Sequence, residues 1–163
     1  MIRPATPNDV PEIANLIREL AEYEKLSHEI TFDINDLREH LFGVRPYAEV
    51  LIAEHSESRA IVGFAFFFHN YSTFCGKPGI YLEDLFVRPQ HRGQGYGKAL
   101  LARLAQLAID RSCARLDWAV LDWNKPSIGF YERLGAQPQT DWTTYRLVDE
   151  PLEKVARSDN MKR

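Results

Sequence analysis

A chain of 163 residues, 45% hydrophobic and 26% charged, is long enough for one domain with a buried core and too short for two full ones. Twenty basic against twenty-three acidic residues leave a net charge of −3 and a pI near 6.0, so overall charge offers no footprint for nucleic acid. Two cysteines, Cys75 and Cys113, cannot make a disulfide framework, and five scattered histidines without an H-x-x-x-H pair speak against a metal site. The opening MIRPATPND lacks the pattern of a signal peptide. The longest apolar stretch, Ile61 to Phe68, falls far short of the ~20 residues of a membrane span. The expectation is a soluble, cytoplasmic, single-domain protein, 1–157 with a frayed polar tail at 158–163, using no metal and meeting neither nucleic acid nor membrane.

In chain order, Met1 to Ala5 reads as a short strand. Thr6-Pro7-Asn8-Asp9 is a helix start, and Ile13, Leu16, Ile17 and Leu20 mark one apolar face of a helix running to Tyr23. Asp36 to Leu41 predicts a second, weaker helix. Ala48 to Glu54 and Ala60 to His69 predict strands joined by the polar turn His55-Ser56-Glu57-Ser58. Gly79 to Val87 is a third strong strand, followed by a glycine-rich loop and a long helix with Leu100, Leu101, Leu104, Leu107 and Ala108 on one side. Arg115 to Val120 predicts a strand, Pro126 to Leu134 a short helix and Thr143 to Val148 a last strand. Helices on both faces of a central mixed sheet are the economical packing of this order.

The informative segment runs from Val87 to Leu101, where Gly93, Gly95 and Gly97 alternate between a strand end and a helix start. Glycine lets a ligand approach the amides, and free N–H groups at a helix start form an anion site. Arg92 and Lys98 add positive charge. The reading is a phosphate cradle. A nucleotide-triphosphate loop fails on spacing, because Gly97-Lys98 is followed by Ala99 and its first glycine would be Arg92. A dinucleotide fingerprint fails because the third glycine comes one residue early. A loop whose glycines only make a tight turn is the bland alternative.

R-G-Q-G-Y-G-K-A-L-L resembles the acetyl-coenzyme A signature of the GNAT acetyltransferases, with Arg92, Gly95 and Gly97 in register. The likeness continues through I-R-P-A-T, A-E-Y-E at 21–24, I-V-G-F-A at 61–65, Y-L-E-D-L-F-V at 81–87, W-N-K-P-S-I-G-F-Y at 123–131 and R-L-G-A at 133–136. These blocks are similar to the spermidine/spermine (diamine) and thialysine acetyltransferase branch. The resemblance implies a mixed, mostly antiparallel sheet splayed open at the cofactor, a homodimer, and acetyl transfer from acetyl-CoA to a primary amine of a small cation. A non-catalytic acyl-CoA-binding sensor is the alternative from another class.

Glu83 and Asp84 stand in an otherwise apolar strand. Neighbours in a strand face opposite ways, so both reach solvent only at an edge or a bulge. A cleft for a cationic substrate would offset the cost of burying them. The resemblance implies that Glu83 orients the amine or relays its proton through water. It also implies that Tyr131 lies beside the thioester sulfur as an acid, where packing alone is the plain alternative. By position, Leu85, Phe86 and Val87 would offer backbone to the pantetheine arm. Arg92, Gly93, Gln94, Gly95, Tyr96, Gly97 and Lys98 would hold the pyrophosphate, and Asn124 and Ser127 would flank the arm, or simply cap a helix. Tyr23, Glu24 and Asp117 match substrate positions, with Glu83 and Asp84. Trp142 and Thr143 depart from the diamine branch, which has acidic residues there, so a shorter amine such as thialysine stands beside the polyamines.

Overall fold

The computed structural model describes residues 1–158, which divide between Ala119 and Val120 into two compact units. The first contains strand β1 (Ile2–Pro4), helices α1 (Val10–Tyr23) and α2 (Ile34–Phe42), strands β2 (Glu49–Glu54), β3 (Ile61–Ser72) and β4 (Lys77–Val87), helix α3 (Tyr96–Asp110) and strand β5 (Leu116–Trp118). The second contains α4 (Lys125–Arg133) and α5 (Asp149–Arg157).

The five strands lie side by side in sequence order. Each pair through β4 is antiparallel and β4–β5 is parallel. A parallel neighbour needs a crossover, and α3 supplies it. Alternation then sends Val50, Ile52, Phe64 and Phe86 to one face, where they join Val10, Ile13, Leu16 and Leu20 of α1 and Leu37 and Leu41 of α2 in one apolar cluster. Leu51, Ala65, Phe67, Ile80 and Leu82 take the other face, together with the buried Leu100, Leu101 and Leu104 side of α3.

Thr6 caps the single turn Pro7–Asp9 that leads into α1, in a reciprocal arrangement with Asp9. The Thr6 N–H and hydroxyl both bond to Asp9 Oδ2, at 2.7 and 2.8 Å. Arg3 holds the same carboxylate with both terminal nitrogens, and the pair keeps the Asp9 pKa down at about 2.

The strand expected over Thr143 to Val148 is not formed. The segment has no strand partner among the described residues, its side chains are exposed, and α5 begins immediately after it. β-propensity reflects fit to a half-buried pleated surface, so residues suited to a strand do not form one by themselves. Ser158 closes α5 with its N–H on the Lys154 carbonyl, while the remainder of the expected tail, 159–163, lies outside the described residues.

Candidate active site

The glycine loop is held open by backbone conformation. Gly95 caps α3 at φ +87° and Gly93 lies at +75°, a region that side chains with a Cβ rarely adopt. The first bond of α3 runs from the Ala99 N–H to the Gly95 carbonyl at 2.9 Å, so the amides of Tyr96, Gly97 and Lys98 have no acceptor within the helix. They sit at the positive end of the helix dipole. Nothing lies within 4 Å of where a Cβ would stand on Gly93 or Gly95. Open space, unpaired amides and the exposed Lys98 fit a pyrophosphate.

Two arginines brace this loop. Arg92 donates from Nε to the Val87 carbonyl at 2.9 Å, and its guanidinium lies 4.5 Å over the ring of Tyr23 and 5.6 Å from that of Phe86. Arg88 donates to the Ile61 carbonyl at 2.7 Å and to Glu12 and Glu19 on α1 at 2.7 and 2.6 Å, while its own N–H bonds to Val62. The cradle is therefore tied to α1 at both ends of that helix.

Strand β4 provides the wall beside the cradle. Its pairing with β5 stops at Leu82–Trp118, so Glu83 to Val87 have no strand on that side among the described residues. This is the splay expected of the sheet. Leu85 and Val87 are half-buried along the open edge, whereas Phe86 is 4% exposed and its side chain belongs to the core. Its backbone also turns away from the open edge: Arg88, two residues on, donates its N–H to Val62 of β3, and alternation gives Phe86 the same side, so Phe86, unlike Leu85 and Val87, offers a ligand neither side chain nor backbone.

The carboxylates meet at a bulge. Phe66 pairs with Asp84 and Phe67 with Leu82, which leaves Glu83 as an extra residue on β4. The bulge breaks the alternation, so Glu83 is exposed while Asp84 turns to the α1 face with Phe86. Burial, and the neighbouring charges of Glu83 and Glu24, push the Asp84 pKa up to about 7. Glu24, the residue that ends α1, is also raised by burial. Tyr81, two residues before the bulge, has its hydroxyl pKa raised by burial and then by Glu83 and Asp117. Asp117 stands opposite Tyr81 on β5 and pairs with Arg115 at 2.7 Å. The structure thus gathers Tyr23, Glu24, Glu83 and Asp84 around the α1 end and the bulge. Asp117 stands farther along the same face, already neutralised by a cation.

The remaining expected site residues lie in the second unit, on α4. Asn124 is buried at the cap, its Oδ1 accepting the Ser127 N–H at 3.3 Å and its own N–H bonding to the Leu121 carbonyl at 2.8 Å. That is the capping role weighed for the pair from sequence. Tyr131 is half-buried with its ring 5.3 Å from that of Phe130.

Sequence reading missed Arg88, Tyr81, and Asn70 and Arg115, the two partners of Asp117. Arg88 left a faint trace, because Glu12 and Glu19 are seven apart and share a face of α1. Asn70 left none, since its partner Asp117 lies 47 residues away.

Comparison with known proteins agrees with this geometry. Residues 12–136 match the model of the acetyltransferase (GNAT) family. The chain is 40% identical over 165 residues to the thialysine N-epsilon-acetyltransferase of Bos taurus, covering 96% of each chain. It is 35% identical to the spermidine/spermine N(1)-acetyltransferase-like protein 1 of Homo sapiens, covering 95% of this chain and 23% of that longer one. Among solved structures, an integron cassette protein of V. cholerae superposes with a TM-score of 0.79 at 27% identity, covering 96% of this chain and 97% of the other. A glycine loop opening a helix, a sheet splayed beyond Leu82 and a family match over most of the sequence lead to one conclusion: this chain belongs to the GNAT family and is an acetyltransferase.

Proposed function

We propose that this acetyltransferase moves the acetyl group of acetyl-CoA to a primary amine of a small cationic acceptor, by direct attack with both substrates bound. The observation that carries the reading is the cluster of Glu24, Glu83 and Asp84, one of them with its pKa at about 7, beside an anion cradle. Carboxylates confined together bind a cation and accept a proton from it. Relatives named for thialysine and for spermidine/spermine acetylation point to the same kind of acceptor.

Acetyl-CoA supplies an activated thioester; the chain does the rest. The amides at the start of α3, with Arg92 and Lys98, hold its pyrophosphate, and the open edge of β4 at Leu85 and Val87 faces its arm. Asn124 and Ser127 flank that arm. An acceptor ammonium with a pKa near 10 must lose a proton before it can attack, which costs ~4 kcal/mol at neutral pH. Glu83, exposed at the bulge, takes that proton directly or through water. As the C–S bond breaks, Tyr131 donates a proton to the departing thiolate, and the second proton that leaves the nitrogen restores it; such help is typically worth ~10²–10⁴ in rate. Tyr23, Glu24, Asp84 and Asp117 orient the acceptor.

We further propose that residues 1–157 act as one acetyltransferase domain and that the chain is a cytoplasmic homodimer. Trp142, Tyr145, Leu152 and Val155 are more than half exposed, which suits a surface covered by a second subunit. Among the described residues, no helix is long and apolar enough to cross a membrane and no group of three or more His, Cys, Asp or Glu could hold a metal ion.

A non-catalytic acyl-CoA sensor would need the cradle but not the carboxylates. Thiol release from acetyl-CoA across a panel of diamines, polyamines, thialysine and lysine separates the two. Release with cationic amines and not with neutral ones is the expected result. Binding of acetyl-CoA without release for any amine contradicts the enzyme reading.

A further inference from the structure

On the acceptor face, farther from the loop than Glu83, Asn70 and Arg115 converge on Asp117. Gly79 is the reason they can. It lies opposite Asn70 on β3, and the N–H of the next residue, Ile80, bonds to the Arg115 carbonyl on the other side at 3.0 Å. A Cβ on Gly79 would stand 2.3 Å from Asn70 Oδ1 and 3.3 Å from Arg115 Cγ. Without it, both side chains lean across β4. Arg115 Nε comes within 2.7 Å of Asp117 Oδ2, and Asn70 Nδ2 donates to the same oxygen at 3.3 Å.

The arginine side chain is 45% exposed and the aspartate 34%. An ion pair this open adds little stability. What it provides is a cation and an anion side by side, on the face that carries Tyr81 and Asp84. The α-carbon of an amino acid carries the same two charges side by side, in reverse. The arginine fork is matched to a carboxylate, and Asp117 is matched to an α-ammonium. Tyr81, opposite Asp117, is two residues from Glu83, which is roughly 7 Å along a strand. An extended ornithine or lysine side chain covers that reach.

We propose that Arg115 determines acceptor specificity: paired with Asp117, it receives the α-carboxylate of a basic amino acid whose terminal amine is delivered to Glu83. The proposal rests on the acetyltransferase reading and narrows its acceptor. A diamine or polyamine has no carboxylate to offer and places a second ammonium against the guanidinium.

The test compares acceptors that differ by the carboxylate alone: L-ornithine with 1,4-diaminobutane, and L-lysine with 1,5-diaminopentane. Thiol release gives kcat/KM for each. The expected result is a preference for the amino acid of at least tenfold in the parent. That preference disappears in Arg115→Gln, with the diamine unchanged or improved, and is largely kept in Arg115→Lys. A general structural defect would lower both members of each pair together, so equal losses overturn the proposal. A parent that favours the diamines overturns it too. Absence of release with all four acceptors while acetyl-CoA binds overturns the underlying proposal of a small cationic acceptor, and this inference with it.

Discussion

A carboxyl group half-withdrawn from water and facing two others gives up its proton late. Asp84 is such a group, held at about 7 by burial and by Glu83 and Glu24. The unfolded chain releases that proton near pH ~3.9, so between about pH 4 and 7 the native state binds more protons than the unfolded one. Native stability contributed by this residue therefore falls as pH rises through that window. Asp84→Asn removes the penalty, and its Tm should exceed the parent's at pH 8 and match it at pH 4. The kinetic effect runs the other way. In the parent, KM for a cationic acceptor should fall as pH rises through about 7, because the ionised carboxylate attracts it; in the variant that step should vanish. Thermal melts at two pH values and a pH profile of KM read both effects. A variant that is destabilised at pH 8, or that keeps the pH step, contradicts the assignment. Asp9 makes the contrast: Arg3 pulls it down to about 2, so its contribution is present above pH ~4 and lost as pH falls through the folded value.

At the scale of elements, the cradle is a property of one junction, the turn from loop into α3. Gly95 is needed there for its φ of +87°, and space for a side chain is not the constraint, since nothing lies within 4 Å. In Gly95→Val the backbone must leave the left-handed region, and the amides of Tyr96 to Lys98 lose their common direction. Acetyl-CoA affinity should drop at least tenfold by calorimetry, while circular dichroism keeps its native shape. Unchanged affinity in the folded variant contradicts the cradle. Elements of this kind are legible in sequence because their signals are local. Glycines at alternate positions, the apolar face of α1 and the run before Pro89 each lie within one stretch of chain. The bulge at Glu83 was legible as a problem, two charges in an apolar strand. Its solution was not, because register belongs to the pairing with Phe66 and Phe67. The strand expected over Thr143 to Val148 failed for the same reason: residues suited to a strand form one only where an edge accepts them.

Across the whole molecule, long-range ion pairs do what no local pattern announces. Arg88 joins the end of β4 to α1 across 76 positions at Glu12 and 69 at Glu19, and Arg111 joins α3 to Glu49 across 62. The first of these ties the glycine loop to the helix that ends in Tyr23 and Glu24, so the proposed cradle and the proposed acceptor cluster of the first unit are braced by one helix. That arrangement suits a reaction in which both substrates are bound before either reacts. Initial rates of thiol release, measured over a grid of acetyl-CoA and acceptor concentrations with the acetylated amine identified by mass, test this most directly. The account predicts that reciprocal plots intersect and that one acetylated amine appears for each thiol released. Parallel plots, or thiol released without acetylated amine, would contradict it.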